Sequence, residues 1–289
     1  RVGGKVWGGV HGSVRCAEFS PDGMAVVTGS TDGTVRLCEA RTGRPMGDPK
    51  SFGEGECLAL SRGGKLIATM DQDGTLRIWN RVSGQAQGEP IQFQKVLRIG
   101  FSPDGSVLIA QPLGGRGYAE VLHAWDTSTG KPVGKPLPHS DLILQWAFSD
   151  DSGLLAVPAL YGPVTTWDVR KAQKLHTLRP EVGNAWSAAV SPDRNRGGVT
   201  TVACGSEKGV QLWDLATQRP LGRLMETRAT VLSLAFSPDG QHLATGTDGI
   251  VELWDVSTQT RVAAPMHHEA HVRRLVFSPD GSVLASASD

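Results

Sequence analysis

The stretch FSPDGMAVVTGSTDGTVRL, residues 19–37, decides the fold. Ser20-Pro21-Asp22-Gly23 reads as a turn: proline presets φ, aspartate caps its own backbone, and glycine takes the conformation other residues resist. Before it, Val14-Arg15-Cys16-Ala17-Glu18-Phe19 reads as a short inner strand, strand a. After it, Met24 to Ser30 reads as a more buried second strand, b, and Asp32-Gly33 as a tight hairpin. Thr34 to Ala40 reads as a third strand, c, and Thr42-Gly43 turns the chain outward to a fourth, d.

The same pattern recurs along the chain. Phe-Ser-Pro-Asp-Gly stands intact at 19–23, 101–105, 236–240 and 277–281, and degenerate copies begin at Leu60, Phe148 and Val190. The seven anchors are separated by 41, 41, 47, 42, 46 and 41 residues. A second marker follows each of the first six: Leu37-Cys38-Glu39, Ile78-Trp79-Asn80, then Trp-Asp at 125, 167, 213 and 254. Two independent markers with one period establish a repeat architecture. One four-stranded sheet cannot cover both of its own faces, so neighbouring repeats must do so. Burying about 200 Å² of tryptophan at the end of strand c is worth at most roughly 5 kcal/mol per repeat.

These markers resemble those of the WD-repeat β-propeller family, and the resemblance spans essentially the whole chain. The resemblance implies an all-β, seven-bladed propeller of four-stranded antiparallel blades, occupying residues 1–289 as one domain. The linkers TGRPMGDP (42–49) and TGKPVGKPLPH (129–139) are similar to those of bacterial multi-repeat members, which often accompany a Ser/Thr protein kinase or another signalling module. No Gly-rich loop, His-Arg-Asp loop or Asp-Phe-Gly stands in these residues, so kinase activity is not expected of them.

Register predicts an incomplete last blade. Thirteen residues separate Phe19 from Asp32, and the same step from Phe277 falls one position past Asp289. Strand c of the seventh copy is therefore expected to be missing, and Arg1 to Val10 to be an outer strand d. Residues 4–10 are expected to pair beside strand b, giving a three-stranded seventh blade. The chain starts at Arg1, not methionine, and a fragment of a larger protein is expected.

Composition narrows the function. The 29 Lys and Arg balance 29 Asp and Glu, which gives no long-range field for nucleic acid or an anionic membrane surface. No apolar run approaches the ~18 residues of a membrane span, so no membrane insertion is expected. Cys16, Cys38, Cys57 and Cys204 form no Cys-x-x-Cys pair; small buried residues are expected, without disulfides or zinc.

Several stretches imitate chemistry. His11, Ser30 and Asp32 invite a catalytic-triad reading, but neither oxyanion hole nor substrate pocket is suggested. By resemblance they belong to the family's structural network of His, Ser/Thr, Asp and Trp. The network's tryptophan stands here at Trp79, Trp125, Trp167, Trp213 and Trp254, while Cys38 replaces it in the first repeat and leaves that network incomplete. In the later repeats His139 matches the histidine, while Tyr161 and Glu207 stand where aspartate is expected. HHEAH (267–271) is one residue short of the zincin signature and is read as a loop. DQDG (71–74) lacks the later ligands of a calcium loop and reads as a b-to-c hairpin. GGRG (114–117) lacks the strand–turn–helix context of a phosphate cradle.

No catalytic, metal or cofactor residues are expected. The resemblance instead points to the start of strand a, four residues before each anchor, as a partner-binding ring: Arg15, Glu56, Leu97, Leu144, Trp186, Leu232 and Arg273. Two loops are longer than the period requires, at 111–120 and 194–199, and loops on a rigid scaffold commonly carry specificity. The reading is a non-catalytic scaffold for protein or peptide partners within a larger signalling or regulatory protein, cytoplasmic and monomeric as a domain. The alternative is a propeller-fold hydrolase or oxidoreductase with a site at the central channel.

Overall fold

A computed structural model describes residues 14–20, 22–52, 56–93, 95–113, 121–139, 141–160, 162–180, 183–192 and 200–288, the side chains of Arg15, Glu56 and Cys57 excepted. The chain divides into two compact units, Arg1–Arg116 with Val121–Pro136 and Gly117–Glu120 with Leu137–Asp289.

Six antiparallel sheets of strands a to d follow the repeats in order. The first is Val14–Phe19, Ala25–Ser30, Thr34–Glu39 and Lys50–Ser51. The second is Glu56–Leu60, Leu66–Met70, Thr75–Asn80 and Ala86–Gln92, and the third is Val96–Phe101, Val107–Pro112, Val121–Asp126 and Leu137–Pro138. The fourth is Ala147–Phe148, Leu154–Pro158, Val164–Asp168 and Gln173–Leu178, and the fifth is Ser187–Val190, Thr201–Gly205, Gly209–Asp214 and Arg219–Glu226. The sixth begins Ser233–Phe236, His242–Gly246 and Asp248–Asp255.

Serine holds every a-to-b turn. The hydroxyls of Ser20, Ser61, Ser102, Ser149, Ser191, Ser237 and Ser278 each accept the first N–H of strand b or of its approach, at 2.8–3.0 Å. In five of these turns the hydroxyl donates to an aspartate: Asp22, Asp104, Asp151, Asp239 or Asp280. The same carboxylate accepts the N–H two residues further on. The aspartate of each Trp-Asp pair has a different task. Asp126, Asp214 and Asp255 accept main-chain N–H groups of the c-to-d turn, and Asn80 does so in the second repeat.

Strand b is the core strand of each complete sheet, as its apolar, β-branched composition predicts. Ile67, Leu108, Leu155, Val202 and Leu243 are fully buried. Four of the strand-c tryptophans cover the sheet before their own. Trp79 packs on Val27, Val35 and Phe52, and Trp125 on Leu76, Ile78 and Ile91. Trp213 packs beside Val164 and Leu178, and Trp254 beside Leu212 and Met225.

The seven-bladed expectation is corrected: the described residues form six four-stranded blades, not seven. The seventh repeat contributes two strands that extend the sixth sheet. Its strand a is the second half of one uninterrupted strand, Met266–Phe277. The first half pairs with strand c of the sixth sheet, with His271 opposite Asp248 and His267 opposite Ile250. The second half pairs with Leu284–Ser288. Glycine and proline are missing from residues 266–277, so nothing breaks the strand between its two roles. The expected pairing of residues 4–10 lies outside the described residues.

Reading HHEAH as a loop is corrected by the same strand. His267, Glu269 and His271 are exposed, while His268, Ala270 and Val272 turn towards the sheet, the alternation a strand imposes. Asp71 to Gly74 does form the b-to-c hairpin of the second repeat, with the Thr75 N–H on Asp73 at 3.0 Å.

Candidate functional site

Ser30 and Asp32 form a hydrogen-bonded clamp at the b-to-c turn of the first repeat. Ser30 is 3% exposed and donates its hydroxyl to Asp32. Asp32 also accepts the Thr34 N–H at 2.9 Å and its hydroxyl at 2.6 Å. The Ser30 and then the Thr34 hydrogen bonds hold its carboxyl down to about 2, so it stays an acceptor throughout the neutral range. His11 lies outside the described residues, as do Tyr161 and GGRG (114–117).

The strand-c tryptophans differ in what satisfies the indole N–H. Trp79 donates to Thr69 at 2.8 Å and Trp254 to Thr245 at 3.1 Å. In each case the acceptor lies two residues beyond the tryptophan's partner on strand b, Ile67 or Leu243. The fifth repeat has Cys204 at that place, and the buried Trp213 N–H has no partner. The fourth has Val157, and Trp167 turns to His139 Nε2 and Thr165 Oγ1, both at 3.2 Å. His139 is 3% exposed and its Nδ1 lies 3.0 Å from the Leu137 carbonyl. Nδ1 is therefore the donor and Nε2 the acceptor. Burial, reinforced by Lys174 and opposed by the Leu137 carbonyl, brings this histidine down to about 4, so it is neutral at pH 7. Trp125 instead stacks on His123 and meets Phe93 edge-on.

The expected ring divides between the two units. Leu97 is exposed in the first unit, and the side chains of Arg15 and Glu56 fall outside the described residues. In the second unit, Leu144, Trp186 and Leu232 are half-buried and Arg273 is exposed. Two of these positions are brought together by a residue the sequence reading missed. Gln145 Nε2 lies 3.5 Å from both the Trp186 and the Leu232 carbonyls, so the starts of strand a in the fourth, fifth and sixth sheets converge on one amide.

The main chains there are tied down. Trp186 N–H donates to Gly205 O at 2.9 Å, and Leu232 N–H to Gly246 O at 2.8 Å. Ser187 and Ser233, one residue on, donate to the carbonyls of Val231 and Val272 in the following repeat, at 2.7 and 2.9 Å. Both glycines are required by close approach: a Cβ would stand 2.2 Å from Ser187 Oγ at Gly205 and 2.3 Å from Ser233 Oγ at Gly246.

Glu207 locks the loop that delivers Trp186. Its carboxylate accepts the Asn184 N–H at 2.6 Å and the Asn184 amide at 3.0 Å. Burial works against the charge, but the Trp186 indole and Asn184 outweigh it and hold the carboxyl below its usual range. The buried indole N–H makes no hydrogen bond of normal geometry, so its pull on Glu207 is electrostatic. Glu207 thus fills the expected aspartate place with Asn184 as partner. The signal for Gln145 was present as well, as a lone amide at the position where the next two repeats carry Ser187 and Ser233.

Among the described residues, no group of three His, Cys, Asp or Glu side chains is placed to hold a metal ion. No described helix is long and apolar enough to cross a membrane. Cys38 and Cys204 are buried free thiols, and burial pushes Cys204 far above its ordinary value.

Four-stranded sheets in sequence, with the strand-a starts of the fourth, fifth and sixth tied together, define a β-repeat protein. Residues 8–39, 56–80, 218–255 and 260–289 match the family model "WD domain, G-beta repeat". It is similar to the small ribosomal subunit protein RACK1 of Drosophila melanogaster, 31% identical over 121 residues, which cover 40% of this chain and 36% of that protein. The match thus spans about a third of that relative's length.

Proposed function

We propose that the chain is a non-catalytic platform for protein or peptide partners, acting as a monomeric domain in the cytoplasm. It serves a larger signalling or regulatory protein of the bacterial multi-repeat type. The observation that carries this reading is the convergence of Trp186 and Leu232 on Gln145, the residue after Leu144. There, half-buried apolar side chains stand on main chains fixed by Gly205 and Gly246. An aromatic anchor beside smaller apolar groups on a rigid support suits a protein partner. WD40 repeats support the same reading, as does a relative named as a protein of the small ribosomal subunit, itself part of an assembly. The formal net charge of zero supports a protein rather than a nucleic-acid partner.

The test is cross-linking capture from the source cell with wild type and Trp186→Ala, followed by titration of the captured partner. Losing the anchor is expected to weaken binding about tenfold or more. Identical capture and affinity for both proteins would refute the assignment of the ring.

A further inference from the structure

Seven Asp-Gly pairs lie among the described residues, at 22–23, 32–33, 73–74, 104–105, 239–240, 248–249 and 280–281. Such a pair carries its own chemistry, because no side chain crowds the glycine nitrogen. That nitrogen attacks the neutral aspartate carboxyl at Cγ, loses its proton, and closes a five-membered imide as water leaves. A second water opens the imide at either carbonyl. One opening restores aspartate; the other leaves an isoaspartyl linkage, with the main chain routed through Cβ and longer by one methylene. A fold suppresses the reaction by engaging the carboxylate, the glycine N–H or both.

Six of the seven pairs are engaged at both groups. Asp22, Asp32, Asp73, Asp104, Asp239 and Asp280 each accept the N–H two residues on, at 2.9–3.1 Å. All but Asp73 also accept a serine hydroxyl. The glycines that follow each donate N–H to the carbonyl three residues back, at 2.8–3.1 Å. Serine hydroxyls first, and then main-chain N–H groups, hold Asp22, Asp239 and Asp280 below the usual carboxylate range, as the Thr75 N–H does for Asp73.

Asp248-Gly249 stands apart. Its b-to-c turn is one residue shorter than that of the first repeat, Thr247-Asp248-Gly249-Ile250 against Ser30-Thr31-Asp32-Gly33-Thr34. Thr247 N–H donates to Ile250 O at 2.9 Å. The carbonyl three residues before Gly249 is that of Gly246, and it takes the Leu232 N–H at 2.8 Å. The Asp248 side chain is 65% exposed, and among the described residues its carboxylate meets only His271, with Nδ1 3.0 Å from Oδ1. Neither a hydroxyl nor the N–H two residues on holds it.

We propose that Asp248-Gly249 is a modification site of the folded chain, where the aspartyl linkage converts to isoaspartyl. The added methylene falls in a turn whose stem ties Leu232 and Val272, through Gly246 O and Thr247 O. The proposal stands whether or not the strand-a ring binds a partner.

The test uses the other six pairs as internal controls. The full chain is aged at neutral pH and physiological temperature, digested, and read at each site by electron-transfer fragmentation, which separates isoaspartyl from aspartyl peptides. A parallel sample is aged in concentrated urea. In the folded chain Asp248 is expected to convert about tenfold faster than the six engaged aspartates, and in urea the seven rates are expected to converge. In Asp248→Glu, whose longer side chain does not form the five-membered imide, the signal at this position is expected to vanish. Folded-state conversion at Asp248 no faster than at the engaged sites overturns the proposal. So does an equal lead of Asp248 in urea, since the fold would then not be its cause.

Discussion

The sixth and seventh repeats begin with the same five residues, at 236–240 and 277–281, and fold the same turn. Ser237 and Ser278 hold it alike, through Asp239 and Asp280. Yet strand b of the sixth repeat is buried from Leu243 to Gly246, while that of the seventh is exposed from Ala285 to Ser288. The sixth is flanked by its own strands a and c and faces a neighbouring repeat. The seventh has one described partner, the second half of Met266–Phe277. A local signal therefore shapes the turn, while burial is conferred by the strands on either side.

The sharpest way to break this comparison is to truncate the equivalent leucines. Leu243→Ala is expected to cost roughly 2–5 kcal/mol, since Leu243 is fully buried. Leu284→Ala is expected to cost under about 1 kcal/mol, both read from urea midpoints. Equal costs would show that the two strands share one environment.

The next largest effect concerns what each tryptophan meets. Trp254 donates to a threonine, which does not titrate, whereas Trp167 donates to His139. His139 stays neutral in the folded chain down to about pH 4, but takes a proton near 6.5 when unfolded. Its contribution is therefore intact above pH 6.5 and lost as pH falls towards 4, by roughly 3 kcal/mol. His139→Gln should flatten stability over that window in urea titrations at several pH values. An unchanged slope would remove His139 as the cause.

Thr245→Val strips the acceptor from the buried Trp254 indole and is expected to cost about 2 kcal/mol. Its counterpart Ser286 meets His268 at 2.8 Å on the exposed strand, and Ser286→Ala should stay within about 0.5 kcal/mol. Calorimetry of the pair tests whether position or surroundings sets the effect. The smallest effect is a gain. Cys204→Thr places a hydroxyl where Trp213 lacks an acceptor, for about 1 kcal/mol or ~2–4 °C in melting temperature, with Cys204→Val as the shape control.

Much of the site could be read from residue types, because its devices are local. The serine–aspartate turns, the Asp126, Asp214 and Asp255 caps and the Ser30–Asp32 clamp all link residues within five positions. Trp79 and Trp254 with their threonines were legible in type though not in partner. Gln145 stood out in type, but its partners were not legible, because its two acceptors lie 41 and 87 residues away. Glu207 looked like a defect in the fifth repeat, until Asn184 supplied the donors a histidine would have given.

By itself the sequence determined the repeat, the strand order within it and the turn chemistry, since backbone preference and neighbouring side chains suffice for each. Tertiary structure decided that, among the described residues, the seventh repeat extends the sixth sheet instead of forming a blade, and that residues 266–277 form one strand serving two repeats. It also decided which strand-a positions meet. Those outcomes depend on hydrogen-bond partners and burial supplied by residues far along the chain, which no local pattern encodes.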